Sequence, residues 1–181
     1  IILKYRENFG ENIVEFGPFF NPLCFPNFYN KNNIYFVEND KYVVPYLKEK
    51  YVNNANIIKI NFRKIDKVFK DNFNKAFLNY NPTCKKVSLD VVVLSQVLNY
   101  TDYSSMLKFV AERMPMGAFL FVNNVSNYGI PDFFSEKRPK SIMSVLKVIS
   151  QIGFNIVEQH IVESPNKHYQ PNKRLLLVAQ K

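Results

Sequence analysis

The sequence predicts an α/β fold with a mostly parallel sheet that finishes in one antiparallel strand. Short strand-like apolar runs alternate with longer stretches of helical period, which is the pattern of parallel α/β sheets. The last two apolar runs, 154–162 and 174–180, are separated by about ten residues that include prolines and asparagines. Because this connection leaves no room for a crossover helix, the two runs are predicted to form an antiparallel hairpin.

Length and composition predict a single domain. The chain has 181 residues, 47% of them hydrophobic, and can bury one core, so we expect one domain over residues 1–181. No apolar run approaches the roughly eighteen residues of a membrane helix, and we expect a soluble protein. Cys24 and Cys84 have no CxxC spacing, which favours two buried thiols in a reducing compartment and a cytoplasmic location.

The first half of the chain contains three predicted strands. They cover residues 13–16, 33–38 and 56–62. Between the last two strands, segment 41–51 has the pattern of a short helix with Pro45 in its first turn, where the missing N–H is tolerated.

The second half continues the alternation of strands and helices. Segment 89–95, LDVVVLS, is apolar and rich in β-branched residues, which predicts a central strand. Segment 101–117 has apolar residues three and four apart and Asp102 placed as the N-cap, so it predicts an amphipathic helix. A fifth strand is predicted over 118–123, and a further helix over about 140–153.

A glycine turn follows the first predicted strand. Ligands of open α/β sheets bind beyond the carboxyl ends of the strands, and Gly17 would let a ligand approach the backbone there. Glu38 follows about twenty residues later, at the end of the second strand, where a carboxylate can bind ribose hydroxyls. Phe19 and Asn21 replace the glycines of a pyrophosphate-binding turn, which disfavours NAD and FAD. A purely structural turn would explain Gly17 equally well.

Several motifs together resemble the class I S-adenosylmethionine-dependent methyltransferases. They are IVEFGPFFNPL, IYFVEND, LDVVVLSQVLNYTD, MPMGAFLFVNN and the closing hairpin. The first motif resembles a family variant, E-x-G-P-x-x-N-P, and consists here of Glu15, Gly17, Pro18, Asn21 and Pro22. The resemblance implies a Rossmann-like, doubly wound sheet of seven strands, an S-adenosylmethionine cofactor and methyl transfer.

The resemblance also implies which residues bind the cofactor. The expected contacts are Glu15, Gly17, Pro18 and Phe19 with the methionine moiety, Glu38 with the ribose, Asn61 and Phe62 with the adenine, and Ser95 and Gln96 beside the methyl-transfer site. Family members commonly carry an acid after the third strand to bind the adenine amine. Asn61 is expected to accept that hydrogen bond here.

The expected acceptor is a small hydroxylated molecule, such as a saccharide or a nucleotide-linked sugar, that is methylated on oxygen. This expectation follows from the branch that the first motif resembles, whose members often accompany polysaccharide modification. The candidate acceptor-binding residues are Asn99, Tyr100, Asn123, Asn124, Tyr128, Lys137 and Arg138. In segment 123–141, Asn123, Asn124 and Tyr128 would bond sugar hydroxyls, and Lys137 with Arg138 would bind a phosphate. The alternative for this segment is a plain connecting loop with solvated charges.

The sequence indicates neither a catalytic base nor a metal site. The only histidines, His160 and His168, lie near the closing hairpin and are expected at the surface. Together with the two cysteines they match no ligand spacing. The segment SQVLNY after the fourth strand also lacks the Asp/Asn-Pro-Pro-aromatic motif of amino-methylating enzymes, which disfavours N-methylation of bases.

The formal net charge is +9 and the pI is near 9.4. Nine cations interleaved with Asn, Tyr and Phe are expected to form solvated surface more than a nucleic-acid patch, namely Lys48, Lys50, Lys59, Arg63, Lys64, Lys67, Lys70, Lys85 and Lys86. Two alternatives to methylation of a small acceptor stay open. One is a catalytically silent methyltransferase-like domain for binding or assembly, and the other, which rests on charge alone, is an RNA methyltransferase.

Overall fold

The described part of the chain forms one seven-stranded sheet with helices on both faces. A computed structural model describes residues 1–24, 33–125, 133–163 and 173–181. The strands are β1 (Asn12–Phe16), β2 (Asn33–Glu38), β3 (Asn56–Lys59), β4 (Val91–Ser95), β5 (Phe119–Val125), β6 (Asn155–Glu163) and β7 (Lys173–Gln180). The helices are the 3-10 helix η1 (Ile2–Asn8) and the α-helices α1 (Val43–Lys50), α2 (Lys67–Tyr80), α3 (Tyr103–Ala111) and α4 (Ile142–Gln151).

The strand order is β3-β2-β1-β4-β5-β7-β6. The β1 strand pairs in parallel with β2 and β4, and β4 pairs in parallel with β5. Only β7 runs the other way, antiparallel to both β5 and β6. The predicted fold class, a mostly parallel seven-stranded sheet with a C-terminal antiparallel strand, is therefore confirmed.

The strand order reverses at the centre of the sheet. From β1 the chain moves outward through β2 to β3, then returns to the other side of β1 as β4. Because parallel crossovers are right-handed, the outward and returning connections cover opposite faces. In open α/β sheets a ligand crevice is expected at the carboxyl ends of the strands where the order reverses, which is here between β1 and β4.

Two apolar cores result, one on each face of the sheet. The core with α2, α3 and α4 contains a cluster of phenylalanine rings, and the core on the other face includes α1 and η1. Phe73 of α2 stacks on Phe16 of β1 at 5.7 Å between ring centroids and meets Phe109 of α3 edge-on at 5.2 Å. Among the described residues, no helix has the length and apolar character needed to cross a membrane.

Helix α2 is an element that the sequence analysis did not predict. Its buried residues Phe69, Phe73 and Phe77 recur every four positions, which is a helical period. Asp66 caps it, accepting a hydrogen bond from the Phe69 amide at 2.9 Å. The pattern was therefore present in the sequence, and it places one side of α2 against the sheet.

We expect Asp66→Ala to lower the free energy of unfolding by about 1 kcal/mol, because the Phe69 amide would lose its partner at the first turn of α2. Asp71→Ala, at an exposed position of the same helix that is not its cap, is the matched control, with an expected change within about 0.5 kcal/mol. Urea unfolding at neutral pH measures both variants. Equal losses would contradict the capping role.

The structure adjusts several predicted boundaries. The third strand ends at Lys59 instead of residue 62, and Asn61 beyond it accepts a hydrogen bond from the Arg63 amide at 2.9 Å. The fifth strand extends to Val125. Both cysteines are free thiols, but only Cys24 is buried, so the expectation of two buried thiols is wrong for Cys84, which is half-buried.

The N-terminal 3-10 helix contacts β6, which is the terminal strand at the end of the sheet away from β3. The contact is made through the side chain of Glu158. The Glu158 carboxylate accepts hydrogen bonds from Lys4 Nζ at 2.7 Å and Tyr5 Oη at 2.6 Å. A third contact, with His160 Nε2, measures 2.8 Å. Hydrogen bonds from Lys4, Tyr5 and His160 lower the pKa of Glu158 to about 2. His160 is exposed, as predicted, and His168 lies outside the described residues.

Candidate functional site

Four polar residues converge on one face of the sheet at its carboxyl edge. The core on the α1 face includes Ile13, Phe36, Val93 and Phe121, each from a different neighbouring strand. Side chains alternate along a strand, so the residue two positions further on each strand points to the same face. Those residues are Glu15, Glu38, Ser95 and Asn123. The fold thus gathers them beside the crevice between β1 and β4.

The glycine turn is packed tightly against the end of β4. Gly17 has a φ of +67°, and a Cβ there would lie 2.5 Å from Val97 Cγ1 and 2.9 Å from the Ser95 carbonyl oxygen. Its amide donates to the Val37 carbonyl at 3.0 Å. Gly17 therefore joins β2 and β4 across the end of β1, and Pro18 after it is buried. Its use by a ligand stays a prediction.

Glu15 binds the loop that follows the glycine turn. Its side chain is fully buried, and its two oxygens accept hydrogen bonds from the Leu23 amide at 3.0 Å and the Cys24 amide at 2.9 Å. Burial raises the pKa of Glu15 to about 7, although these two amides oppose the rise. The carboxylate therefore fixes segment 17–24, and a direct contact with a methionine moiety stays a prediction.

Glu38 connects the turns that follow β1 and β2. One carboxylate oxygen accepts a hydrogen bond from the Phe19 amide at 3.3 Å, and the other from the amides of Asn39 at 2.7 Å and Asp40 at 3.1 Å. Phe19 adopts a left-handed φ of +52°, and its ring is 57% exposed at the rim of the crevice. This arrangement holds Glu38 at the place where the sequence predicts a ribose-binding acid.

Gln96 joins the ends of β4 and β5. Its φ is +62°, a conformation that costs free energy in any residue other than glycine. The Gln96 amide donates to the Asn123 carbonyl at 2.8 Å, and its side-chain oxygen accepts from the Val125 amide at 3.0 Å. Strained backbone of this kind tends to occur at ligand sites. Ser95 beside it is partly exposed.

The predicted adenine-binding residues lie beyond the end of β3. Asn61 is exposed, whereas the Phe62 ring is buried and meets Phe16 edge-on at 6.3 Å between centroids. The Thr101 hydroxyl donates to the Phe62 carbonyl at 2.7 Å, which ties this segment to the start of α3. Asn61 is therefore the more accessible of the two for a ligand.

Asn123 carries a buried acceptor without a partner. Its side-chain oxygen has no hydrogen-bond partner among the described residues, although it is shielded from solvent. In the sheet, Asn123 lies directly opposite Ser95. A buried polar atom normally has a partner, so this oxygen points to a donor that a ligand or water would supply.

A groove of about 530 Å³ lies between the first turns of α2 and α3, on the face of the sheet opposite to α1. It is lined by Arg63, Lys64, Ile65, Asp66, Tyr100, Asp102, Ser105, Phe133, Phe134, Ser135, Glu136 and Lys137. Ligand sites commonly have such a volume. The lining combines three aromatic rings with charged groups of both signs, so it can offer stacking faces together with hydrogen-bond donors and acceptors.

The predicted acceptor-binding residues are divided between two places. Tyr100 and Lys137 line the groove, whereas Asn123 belongs to the carboxyl-edge cluster. Asn99 and Asn124 are buried, and the Asn99 side chain donates to the Val125 carbonyl at 2.8 Å. Tyr128 lies outside the described residues.

The two cations predicted to bind phosphate have other contacts. Lys137 Nζ lies 3.2 Å from the Asp102 carboxylate, and the Arg138 guanidinium lies 5.1 Å from the centroid of the Phe134 ring. Burial favours a higher pKa for Asp102, but hydrogen bonds from Ser105 and Lys137 outweigh it and keep the pKa below its usual value. Asp102 is therefore held as an ionised N-cap of α3, and Lys137 already has an anionic partner.

The groove includes residues that the sequence analysis did not select. Arg63 and Lys64 follow β3, and Phe133 and Phe134 belong to the long connection after β5. These residues could have been selected from their positions in the sequence, because both segments follow strands at the carboxyl edge of the sheet. Their mutual proximity depends on the strand order and could not be read from spacing. Among the described residues, no group of three or more His, Cys, Asp and Glu side chains could hold a metal ion.

Solved structures share this architecture at low sequence identity. The carbon methyltransferase CurJ superposes with a TM-score of 0.66 and 15% identity over 99% of this chain and 51% of its own. The cyclase SpnF has a TM-score of 0.67 and 12% identity over 99% of this chain and 79% of its own. Magnesium protoporphyrin IX methyltransferase from Synechocystis PCC 6803, solved with bound S-adenosylmethionine, has a TM-score of 0.62 and 13% identity over 99% and 76%. No protein-family model and no curated protein matches the sequence.

These similarities establish the fold. The chain has the fold of class I S-adenosylmethionine-dependent methyltransferases, and several of the similar structures are described as such enzymes. It spans about half the length of CurJ (51%). Because one similar protein is a cyclase, the chemistry has to be argued from the site of this chain.

Proposed function

We propose that this chain binds S-adenosylmethionine at the carboxyl edge of its sheet and transfers the methyl group to a small hydroxylated acceptor. The observation that carries the proposal is the position of Glu38. It is an acid at the end of β2, joined to the glycine turn through the Phe19 amide, beside the point where the strand order reverses. Ligands of open α/β sheets bind at that point.

The residues around Glu38 suit the parts of this cofactor. Glu38 would accept hydrogen bonds from the ribose hydroxyls and Asn61 one from the adenine amine, while the buried oxygen of Asn123 could accept one from the methionine ammonium. When bound, the cofactor supplies a methyl group on a sulfonium, which a hydroxyl oxygen can attack in line. The chain's contribution would be to orient cofactor and acceptor.

The free thiols of Cys24 and Cys84 support a reducing, cytoplasmic setting.

We propose that the groove between α2 and α3 binds the acceptor, and that the acceptor is a saccharide or a nucleotide-linked sugar. The rings of Tyr100, Phe133 and Phe134 could pack on the apolar face of a sugar. Asp102 and Lys137 could accept and donate hydrogen bonds to its hydroxyls. Because a carboxylate with a lowered pKa is a weak proton acceptor, we assign Asp102 to binding and not to proton removal.

A second candidate is a catalytically silent domain that keeps the fold for binding or assembly. It is favoured by one observation: the carboxylates of Glu15 and Glu38 already accept hydrogen bonds from the chain's own loops. In that case the acids at the carboxyl edge would serve to hold the turns together. Binding of the cofactor separates the two candidates.

We expect the chain to bind S-adenosylhomocysteine and the Glu38→Gln variant to bind it at least about tenfold more weakly, since a hydrogen bond to a charged group contributes about 1.5–3 kcal/mol. Isothermal titration calorimetry measures both. Asp40→Asn is the matched control. It removes the same charge two residues away, and its side-chain oxygen can still accept from the amides of Tyr42 and Val43, so binding should change little.

Two results would count against the proposal. Absence of binding to the unmodified chain would favour the silent domain. Equal weakening in Glu38→Gln and Asp40→Asn would mean that the general negative potential of the turn matters more than a specific contact of Glu38. Circular dichroism of each variant shows whether the fold is retained.

A further inference from the structure

The positive charge of the chain is concentrated in one segment. Residues 48–86 contain ten of the 24 lysines and arginines and three of the 15 acidic residues. This segment alone therefore contributes +7 of the formal net charge of +9, and the other residues together contribute +2. Along the chain these cations are separated by Asn, Tyr and Phe, and for that reason the sequence predicts solvated surface there.

The fold brings that segment to one edge of the sheet. It comprises the end of α1, the strand β3, the helix α2 and the connection to β4, and β3 is the terminal strand of the sheet. The exposed cations of this β3 edge are Lys48, Lys50, Lys59, Arg63, Lys64, Lys67, Lys75, Lys85 and Lys86. Cations that are dispersed in sequence thus lie on β3, on the helices α1 and α2 that contact it, and on the connections between them.

Few carboxylates neutralise the β3 edge. Within the part of the chain that the structure describes, Lys70 is its one cation with a carboxylate within ion-pair distance, 3.4 Å from Glu112. Of the three acids in the segment, Asp66 caps α2. The edge therefore carries a strong positive potential that attracts a polyanion.

Aromatic rings lie among these cations. The Phe133 ring is 48% exposed and lies 5.1 Å from the Arg63 guanidinium at the carboxyl end of the edge. Tyr80, at the other end of α2, is also 48% exposed. On α1, Lys50 Nζ lies 5.0 Å from the centroid of the Tyr46 ring. Cations interleaved with accessible rings are the surface that proteins present to unpaired bases and their phosphates.

We propose that the β3 edge binds single-stranded nucleic acid, with its cations on the phosphates and its exposed rings, Phe133 foremost, stacked on bases. Unpaired bases can reach such rings, whereas the bases of a duplex are stacked on each other. An anionic membrane would call for a contiguous apolar stripe beside the cations. The exposed aliphatic residues of the segment, Val52 and Val68, lie on separate elements, and the exposed neutral residues also include Asn53, Asn54 and Asn72. The inference does not depend on methyl transfer, although Arg63, Lys64 and Phe133 also line the groove proposed above for the acceptor.

Fluorescence anisotropy with a labelled 12-nucleotide oligouridylate, titrated with the full chain at several salt concentrations, tests the proposal. Each phosphate contact on a single strand contributes about 0.7 to the slope of log affinity against log salt. We expect Lys67→Gln/Lys75→Gln to weaken binding and to reduce that slope by about 1.4. The control, Lys108→Gln/Lys147→Gln, removes two exposed lysines from α3 and α4 and should leave the slope unchanged.

A separate variant tests the stacking of bases on the Phe133 ring. Phe133→Leu keeps every charge, so we expect about fivefold or more weaker binding with an unchanged salt slope, since loss of one stacked base costs at least that much. If both lysine-pair variants lose the same amount of affinity, the proposal is overturned, because binding would then depend on the net charge of the chain and not on the position of the lysines. Binding of polyglutamate or of phosphatidylserine vesicles as tight as that of the oligonucleotide would overturn it in favour of an unspecific polyanion or a membrane. Since the readout contains no cofactor, failure here is separate from failure of S-adenosylhomocysteine binding.

Discussion

Gly17→Ala is expected to lower the free energy of unfolding by about 2–5 kcal/mol and to remove S-adenosylhomocysteine binding. A left-handed backbone costs a residue with a Cβ about 1–2 kcal/mol. Overpacking adds about 1–3 kcal/mol, because the new carbon would lie 2.5 Å from Val97 Cγ1 and 2.9 Å from the Ser95 carbonyl oxygen. These close contacts can be relieved only if the glycine turn moves away from β4, and that movement would displace the Phe19 amide from the Glu38 carboxylate. Urea unfolding and calorimetry measure the two effects.

The Gly153→Ala variant separates backbone strain from overpacking, the two causes of the stability loss expected in Gly17→Ala. Gly153 also has a left-handed backbone, with a φ of +91°, but no atom lies within 4 Å of a Cβ added there. We expect a loss of about 1–2 kcal/mol from backbone strain alone and no effect on ligand binding. If the two variants lose the same stability, the close packing of the glycine turn against β4 has no energetic role.

The sequence was sufficient to predict the fold because the signals for the strands are local. The run LDVVVLS is apolar on both faces, as a central strand must be, and it forms β4 in the middle of the sheet. The short connection between the last two runs forced a hairpin, and β6 and β7 form one. Helix α2 was not predicted, although Phe69, Phe73 and Phe77 have helical spacing.

The candidate site was predictable only in part, because it depends on contacts between distant segments. Gly17 and Glu38 could be selected from their positions after β1 and β2. Their bond through the Phe19 amide could not, nor could the groove that brings Arg63 to Phe133. The charge of the β3 edge has the same origin. Its cations are spaced irregularly in sequence, and only the fold shows that they lie on and around the terminal strand β3.

A pH-dependent loss of stability is expected from Glu15. The pKa of this buried carboxyl is about 7 in the folded chain and near 4.5 when unfolded. Below pH 4.5 it is protonated in both states. Between pH 4.5 and 7 only the unfolded state ionises, so the contribution of Glu15 to stability falls as pH rises, and this contribution is fully lost above pH 7. The contribution is about 3 kcal/mol, at about 1.4 kcal/mol for each pKa unit.

Glu15→Gln isolates this effect from the other titrating groups. Glutamine stays neutral, so the difference in unfolding free energy between wild type and variant should fall by about 3 kcal/mol from pH 4.5 to 7.5. Urea unfolding across this range measures that difference, and Glu49→Gln, the same exchange at an exposed position, is the matched control. A flat profile for Glu15→Gln as well would mean that the Leu23 and Cys24 amides, together with the Cys24 thiol, compensate fully for burial.

The same ionisation should strengthen the loop that Glu15 holds. A carboxylate can accept from both amides, whereas a protonated carboxyl keeps one weaker acceptor and gains a donor. We therefore expect protection of the Leu23 and Cys24 amides from hydrogen exchange, corrected for intrinsic rates, to rise with pH through 7 while global stability falls. Protection that falls in parallel with global stability would show that the loop has no separate dependence on Glu15. If protection of these amides rises while the global stability falls, ionised Glu15 holds segment 17–24 against the carboxyl edge and at the same time lowers the stability of the whole chain.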